Sequence, residues 1–150
     1  MIMTEALYRQ LLRFRPAPPE CGAALGCDKA GIICEYCFDE GITDKERAVY
    51  KPNVSKLNDA IIIWQRMNIQ FCGLAHTHPE KQITLSEADR LYIHKILKHN
   101  PHLSSPLFFP LIIPGKCIIG YRAVMQYGGI AITEEQITIK ERREWKGSKK

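Results

Sequence analysis

A short apolar run between two helical patterns constrains the fold more than any other feature of this sequence. Residues 69–75 read IQFCGLA and are mostly apolar, as is typical of a short strand that is covered on both faces. The residues from about Asn53 to Asn68 have the apolar stripe of a helix, and Ser86 to His99 have another. The sequence therefore predicts an α/β fold in which a sheet carries helices on its faces.

The other segments extend this pattern. Thr4 can cap a first helix that includes Phe14 in its apolar face and ends at the following prolines. CGAALGC and GIICEYCFD predict a hairpin with a turn at residues 28–31. Further strands are expected in RAVYK, SPLFFPLIIP, CIIGYRAVMQ and IAITEEQITIKE. The helical stripes use Leu57, Ala60, Ile61, Trp64 and Met67 in the second helix and Leu91, Ile93, Ile96 and Leu97 in the third. We expect a curved mixed β-sheet flanked by about three helices.

The composition is that of one ordinary globular domain. The chain has 150 residues, of which 45% are hydrophobic and 25% charged, and this length supports a single core. We predict one domain over residues 1–139 and a basic, flexible tail over residues 140–150, which hold six Lys/Arg and two Glu. Because this tail carries most of the net charge of +5, the nearly neutral body argues against nucleic acid as a partner. A basic tail could still bind nucleic acid or an acidic partner.

The sequence predicts a cytoplasmic protein without membrane association. It contains no apolar run near the roughly 20 residues that span a bilayer, and its first residues lack the apolar stretch of a signal peptide. The six cysteines are then expected to stay reduced and mostly to be buried thiols. Cys34 and Cys37 have CxxC spacing, but no second pair at that spacing supports a zinc-binding interpretation.

The residues after the apolar run are suited to metal binding. His76 and His78 point the same way on a strand, while Thr77 points to the opposite face. Two imidazoles can then bind one zinc ion, whose catalytic sites use three protein ligands and leave a fourth position for water. A helix that begins near Ser86 can bring Asp89, in its first turn, back toward the strand end as the third ligand.

Each part of this pattern also has a simpler interpretation. Ser86 and Asp89 have the spacing of a helix capping arrangement, in which Ser86 caps the helix and Asp89 stabilises its first turn. Two histidines two residues apart can equally be surface residues or a hydrogen-bonded pair. The residue types alone leave both interpretations open.

The whole string from His76 to Asp89, HTHPEKQITLSEAD, resembles the signature of the JAMM family. These MPN-type zinc metallopeptidases include isopeptidases that act on ubiquitin and ubiquitin-like proteins. Their pattern is HxHP, a spacer and SxxD, preceded by a glutamate on an early strand. The resemblance covers most of the chain, from about Glu20 to the last strands.

PPECGAALG resembles the upstream block of that family, in which a glutamate precedes small residues and a glycine-containing strand. The family glycine usually lies three residues after the glutamate, whereas Gly22 lies two residues after Glu20. We prefer the ungapped register, with Ala23 in place of the glycine, because Leu25 and the small residues around it then align. A shift of one residue within a strand would turn the carboxylate to the wrong face.

The resemblance implies a cytidine-deaminase-like MPN/JAB fold with a Zn²⁺ cofactor. It implies that His76, His78 and Asp89 hold the zinc, that Glu20 deprotonates the attacking water, and that Ser86 stabilises the oxyanion. The expected reaction is hydrolysis of an amide or isopeptide bond at the C-terminal tail of a ubiquitin-like or sulfur-carrier protein. The alternatives are a catalytically inactive scaffold or protein-binding module of this fold, or a nucleic-acid-binding protein that uses its tail. The sequence does not indicate an oligomeric state.

Overall fold

The computed structural model describes residues 1–42, 49–101 and 106–141. Within these ranges the chain forms three helices and a sheet of ten strands. The helices are α1 (Glu5–Leu12), α2 (Val54–Arg66) and α3 (Glu87–His99). The strands are β1 (Ile2–Thr4), β2 (Gly22–Cys27), β3 (Ile32–Asp39), β4 (Gln70–Thr77), β5 (Leu107–Phe108), β6 (Leu111–Ile113), β7 (Cys117–Ile119), β8 (Tyr121–Gln126), β9 (Gly129–Glu134) and β10 (Thr138–Lys140). The predicted α/β class is confirmed.

Strand β4 lies near the centre of the mixed sheet. The main strand order is β10-β1-β3-β2-β4-β5-β8-β9, and β6 pairs with β4 and β7 beside this path. On one side β4 is antiparallel to β2, and on the other it is parallel first to β5 and then to β6. The C-terminal end of β4 is therefore held by neighbours on both sides.

Helices cover both faces of the sheet, and each face has its own apolar cluster. The α2–α3 face contains Leu57, Trp64, Ile93 and Leu97 of the helices together with Ala24 and Leu74 of the sheet. The α1 face contains Leu7 and Leu11 together with Met3, Leu25, Ile33 and Ala75. Adjacent residues of a strand point to opposite faces, so each of β2 and β4 contributes to both clusters.

The helices begin where the sequence predicts. The Thr4 side chain accepts a hydrogen bond from the Leu7 amide at the start of α1, and Ser86 caps α3. The expectations for three outer positions were wrong. Phe14 lies beyond the end of α1 and packs edge-on against Phe38, while Met67 and Leu91 are 58% and 65% exposed. Leu91 faces solvent because it lies two residues before the buried Ile93, about half a turn away.

The predicted hairpin of β2 and β3 is confirmed, and its turn is built by Asp28. The Asp28 carboxylate accepts hydrogen bonds from the amides of Ala30 and Ile32, and Gly31 has φ 77°. Each of the three long C-terminal segments forms two strands instead of one. Phe109 and Pro110 separate β5 from β6, Gly120 separates β7 from β8, and β10 lies at the opposite edge of the sheet from β9.

Two further differences concern short segments. Strand β1 was not expected, because three residues are too few for a pattern; it pairs with β3 and β10 in parallel. RAVYK was expected to be a strand, but Val49 to Lys51 form none, and its first two residues lie outside the described ranges. Strand β10 includes Lys140, the first residue of the predicted tail, whose residues 142–150 lie outside the described ranges.

None of the six cysteines forms a disulfide in this structure. Cys21 and Cys72 are buried, whereas Cys117 is exposed and the other three are half-buried, so burial of most of them was a wrong expectation. None of the helices in the described ranges has the length and apolar character that a bilayer-spanning helix needs.

Candidate metal centre

The two histidines predicted to be ligands lie at the C-terminal end of β4, on the α2–α3 face. Their Nε2 atoms are 3.1 Å apart, and both side chains are almost completely buried. The Nδ1 atom of His78 lies 3.0 Å from the carbonyl oxygen of Gln82 and donates its proton there. In a neutral ring this leaves the lone pair on Nε2, because only one of the two nitrogens then carries hydrogen.

Asp89 meets both histidines from the first turn of α3. Its Oδ1 lies 3.2 Å from Nε2 of His76, and its Oδ2 lies 3.1 Å from Nε2 of His78. The same carboxylate takes part in a capping box: the Ser86 amide donates to Oδ2 at 2.8 Å, and the Asp89 amide donates to the Ser86 Oγ at 3.1 Å. The capping interpretation is thus confirmed, and the cap also orients the carboxylate toward the imidazoles.

Glu20 approaches the histidines from the residue pair before β2. Its Oε1 lies 3.7 Å from Nε2 of His78, and its Oε2 accepts a hydrogen bond of 2.9 Å from the Tyr50 amide. Because Glu20 precedes the strand, the alternation of side chains within β2 does not decide its direction. The carboxylate predicted from sequence therefore faces the histidines.

Thr77 fixes the position of Glu20 from the other side of β4. Its buried Oγ1 accepts a hydrogen bond of 2.9 Å from the Cys21 amide, and its own amide donates to the Cys21 carbonyl oxygen at 2.8 Å. The residue between the two histidines thus ties the chain next to Glu20 onto the end of β4.

Gly22 is required by the close approach of Tyr50. It lies opposite His76 in the β2–β4 ladder, and a Cβ at this position would lie 2.5 Å from the Tyr50 ring and 2.6 Å from the Ala75 carbonyl oxygen. Ala23 pairs with Ala75 instead. The glycine two residues after Glu20 therefore makes room for an aromatic side chain beside the histidines.

Sequence reasoning missed Tyr50 and Asp39. The Tyr50 ring stacks on His76 with 6.4 Å between ring centroids, and its hydroxyl donates to Oδ2 of Asp39 at 2.8 Å. Asp39 is 2% exposed and also accepts hydrogen bonds from the amides of Asn53 and Gly41. The buried carboxylate at the end of β3 thus holds the segment that carries Tyr50. No periodicity or motif marks either residue.

The charges within the cluster support one another. Burial raises the pKa of Asp89, but hydrogen bonds to His76 and His78, the charge of His76 and the hydrogen bond from the Ser86 amide hold this pKa well below its usual range. Burial lowers the pKa of His78, but the hydrogen bond to Asp89 and the negative charges of Asp89 and Glu20 outweigh this effect, so the pKa lies above its ordinary value. Asp89 is therefore ionised at neutral pH, as a metal ligand must be.

The geometry fits a metal ion. One ligand atom from each of Glu20, His76 and His78 lies within 4.8 Å of the others, so this group could hold a metal ion. Asp89 is not one of these three residues; its carboxylate contacts the two imidazoles directly and with different oxygens, Oδ1 at 3.2 Å from Nε2 of His76 and Oδ2 at 3.1 Å from Nε2 of His78, so it borders the same space. His94 and His99 are exposed along α3, and His102 lies outside the described ranges.

Comparisons with known proteins give a fold and no function. A comparison with protein-family models and another with curated proteins each found no match. A solution structure of a protein from Desulfitobacterium hafniense has a TM-score of 0.64 and 16% sequence identity, covering 95% of this chain and 94% of that chain. A solution structure of a protein from Salinibacter ruber has a TM-score of 0.56 and 14% identity, covering 93% of this chain and 92% of that chain. The chain shares its overall α/β fold with these two proteins.

Proposed function

We propose that this protein is a zinc-dependent metallopeptidase of the JAMM type with an MPN/JAB fold. Its expected substrate is an amide or isopeptide bond at the C-terminal tail of a ubiquitin-like or sulfur-carrier protein. One observation carries the proposal: the Asp89 carboxylate lies within 3.2 Å of both histidine Nε2 atoms, and a second carboxylate, that of Glu20, lies 3.7 Å from one of them. Because the two carboxylates have different neighbours, Asp89 can hold the metal while Glu20 transfers protons.

His76, His78 and Asp89 are the residues that would hold the zinc. When bound, zinc supplies a Lewis acid that polarises the scissile carbonyl and lowers the pKa of water to about 7. The Gln82 carbonyl oxygen and the Ser86 amide orient the ligand side chains of His78 and Asp89 from outside the cluster. Such outer contacts are usual around metal-binding histidines and carboxylates.

Glu20 is suited to move a proton. One of its oxygens is held by the Tyr50 amide, while Oε1 has no hydrogen bond among the described residues and faces the histidines. In the proposed reaction Oε1 accepts a proton from the attacking water and returns it to the leaving amine. The tie to Tyr50 keeps the carboxylate from rotating away between these two transfers.

Ser86 is suited to donate to the oxyanion. Its Oγ accepts a hydrogen bond from the Asp89 amide, so its own hydroxyl proton remains available, and the residue is exposed to a substrate. The N-terminus of α3 adds a favourable partial positive charge at this point. Loss of one such donor typically raises the barrier by about 3 kcal/mol.

The sequence signature supports the choice of substrate. HTHPEKQITLSEAD resembles peptidases that act on tails of small modifier proteins. A flexible tail of this kind fits a narrow site and can pair with a strand edge. The zinc identity, the MPN fold and this substrate class form one connected proposal.

The test is cleavage of a panel of ubiquitin-like and sulfur-carrier fusions by the zinc-loaded protein. We expect cleavage by the wild type, a loss of about 1000-fold in kcat/KM for Glu20→Gln, and a loss of about 100-fold or more for Ser86→Ala. Glu87→Gln changes an exposed carboxylate on the same helix and should cleave like the wild type. Metal content measured on each variant separates loss of chemistry from loss of zinc.

The proposal fails if the wild type cleaves no member of the panel or if Glu20→Gln cleaves at the full rate. The inactive-scaffold alternative predicts neither cleavage nor stoichiometric zinc. Binding of zinc by the wild type and its loss in His78→Ala would exclude that alternative even before a substrate is found.

A further inference from the structure

An apolar cleft of about 250 Å³ adjoins the candidate metal centre. Its lining is shared between the segment after residue 48, the end of β4 and the first turns of α3. Apolar and aromatic side chains make up most of it: Val49, Tyr50, Pro52, Leu74, Tyr92 and Ile93. Its polar border is formed by His76, Asp89 and Lys51.

The size and lining of the cleft fit one side chain. Leu74 and Ile93 are buried and give it an apolar wall, and the Tyr50 hydroxyl is turned toward Asp39 and so leaves its ring to the cleft. An apolar cavity of about 150 Å³ is enough to bind benzene. A cleft of about 250 Å³ therefore accommodates one side chain of the size of leucine or phenylalanine, but not a helix or strand of a partner.

The position of the cleft relates it to the reaction. His76 and Asp89 belong both to the candidate metal centre and to the cleft border, so a group bound in the cleft would contact two of the residues proposed to hold the zinc. Tyr50 connects the two sites further, because its ring stacks on His76 and its amide holds Glu20. A side chain in the cleft contacts the residue that positions the proposed base.

We propose that this cleft binds one large apolar side chain of the substrate, at a residue that flanks the cleaved bond. The inference rests on the proposed function and narrows it: the preferred substrate has leucine, phenylalanine or a similar residue next to this bond, and glycine on both sides is disfavoured. Burial of such a side chain is worth about ten- to hundredfold in kcat/KM over glycine.

The first experiment measures this preference. Fusion substrates carry phenylalanine, leucine, alanine or glycine at each flanking position in turn, and zinc-loaded wild type is expected to prefer the large residues at one position. Ala88→Phe fills the cleft from α3 and should reduce the preference at least tenfold. Val49→Phe should do the same from the other side, which guards against a folding defect in one variant. Leu91→Phe, an exposed position on α3 that does not line the cleft, is the matched control and should keep the preference.

The second experiment is independent of catalysis. N-acetylphenylalanine amide and N-acetylglycine amide are titrated into the protein, and backbone NMR shifts are followed. We expect the phenylalanine probe to shift Leu74 and Ile93, the glycine probe to shift neither, and Ala88→Phe to remove the response while Leu91→Phe retains it.

The outcomes separate the two proposals. Binding of the phenylalanine probe without cleavage of any substrate would contradict the proposed function and support the cleft as a binding site. Cleavage with equal rates for glycine and phenylalanine substrates would contradict the cleft proposal and leave the peptidase intact. Absence of probe binding at Leu74 and Ile93, or equal behaviour of Ala88→Phe and Leu91→Phe, would likewise overturn the cleft proposal.

Discussion

The two faces of the sheet differ most at the end of β4. On the α1 face, Met3, Leu11 and Leu25 are completely buried and form a continuous apolar cluster. On the α2–α3 face, the apolar cluster gives way to two histidines and two carboxylates beside an open cleft. Consecutive residues of β4 therefore point alternately into the apolar cluster of the α1 face and toward the polar cluster of the α2–α3 face.

This difference shows how a polar cluster can be held in place. Buried charged groups contribute little stability by themselves and need partners. Two sets of contacts hold the polar cluster in place. On the opposite face of β4, Thr77 accepts a hydrogen bond from the Cys21 amide next to Glu20. Asp39 accepts hydrogen bonds from the segment that carries Tyr50. We therefore expect substitutions on the α1 face to change stability first, and substitutions in the cluster to change metal binding and activity first.

The largest expected effect is the increase in unfolding free energy when zinc binds to the cluster of His76, His78, Asp89 and Glu20. At a free zinc concentration of about 1000 times Kd, the wild type should gain about 4 kcal/mol in unfolding free energy over the same protein in chelator. His78→Ala should gain almost nothing, because it lacks a central ligand, and His94→Ala, an exposed position on α3, should gain as much as the wild type. Urea denaturation with and without zinc measures the gain. Equal stabilisation of His78→Ala would contradict the assignment.

The next largest effect is on the α1 face. Leu25→Ala should lower the unfolding free energy by about 3 kcal/mol, because it opens a cavity at a completely buried position. Ile62→Ala, at a position that is 52% exposed, should change it by less than about 0.5 kcal/mol. Leu25→Ala should also retain the gain from zinc. A loss of zinc binding in this variant would show that the two faces are not separable.

A smaller effect is expected where the faces meet. Thr77→Val keeps the shape of the side chain but leaves the buried Cys21 amide without its side-chain acceptor, and should lower the unfolding free energy by about 2 kcal/mol. It should also lower kcat at saturating zinc, because Glu20 loses its support. Thr133→Val, an exposed strand position, is the control. Wild-type stability and kcat in Thr77→Val would contradict the linking role.

The smallest expected effect is on the pH dependence of stability. The difference in unfolding free energy between wild type and His78→Gln should change with pH in opposite directions with and without zinc. In chelator, the raised pKa of His78 means that its pairing with Asp89 stabilises the protein fully below about pH 6.5, and this contribution is lost as the pH rises through the higher folded pKa. The stability advantage of wild type over His78→Gln should therefore shrink from pH 6 to pH 8. In zinc it should grow, because the metal binds the neutral imidazole. Parallel denaturation series measure both slopes, and slopes of the same sign would contradict this account.

Much of the candidate site could be predicted from local sequence. The apolar run before His76 indicates a buried strand, and Ser86 with Asp89 indicates a helix start; the structure confirms both elements and brings the side chains together. The α/β class followed from the same alternation of patterns. These features are local, so a pattern of a few residues is enough to reveal them.

The missing parts depend on contacts between distant segments. Tyr50 meets His76, Glu20 and Asp39 only after the chain folds, and no spacing in the sequence records this. The segment SPLFFPLIIP is divided into β5 and β6, which pair with different parts of β4. A single apolar run in the sequence does not reveal such a division. Strand β1 was missed because its three residues gain their partners from β3 and β10.

X-ray absorption spectroscopy of the zinc-loaded protein tests the central claim most directly. We predict one zinc per chain, bound by two imidazole nitrogens and carboxylate oxygen at about 2.0–2.2 Å, with the signal altered in Asp89→Asn. A zinc surrounded by sulfur at about 2.3 Å, or the absence of stoichiometric zinc from a folded protein, would contradict it.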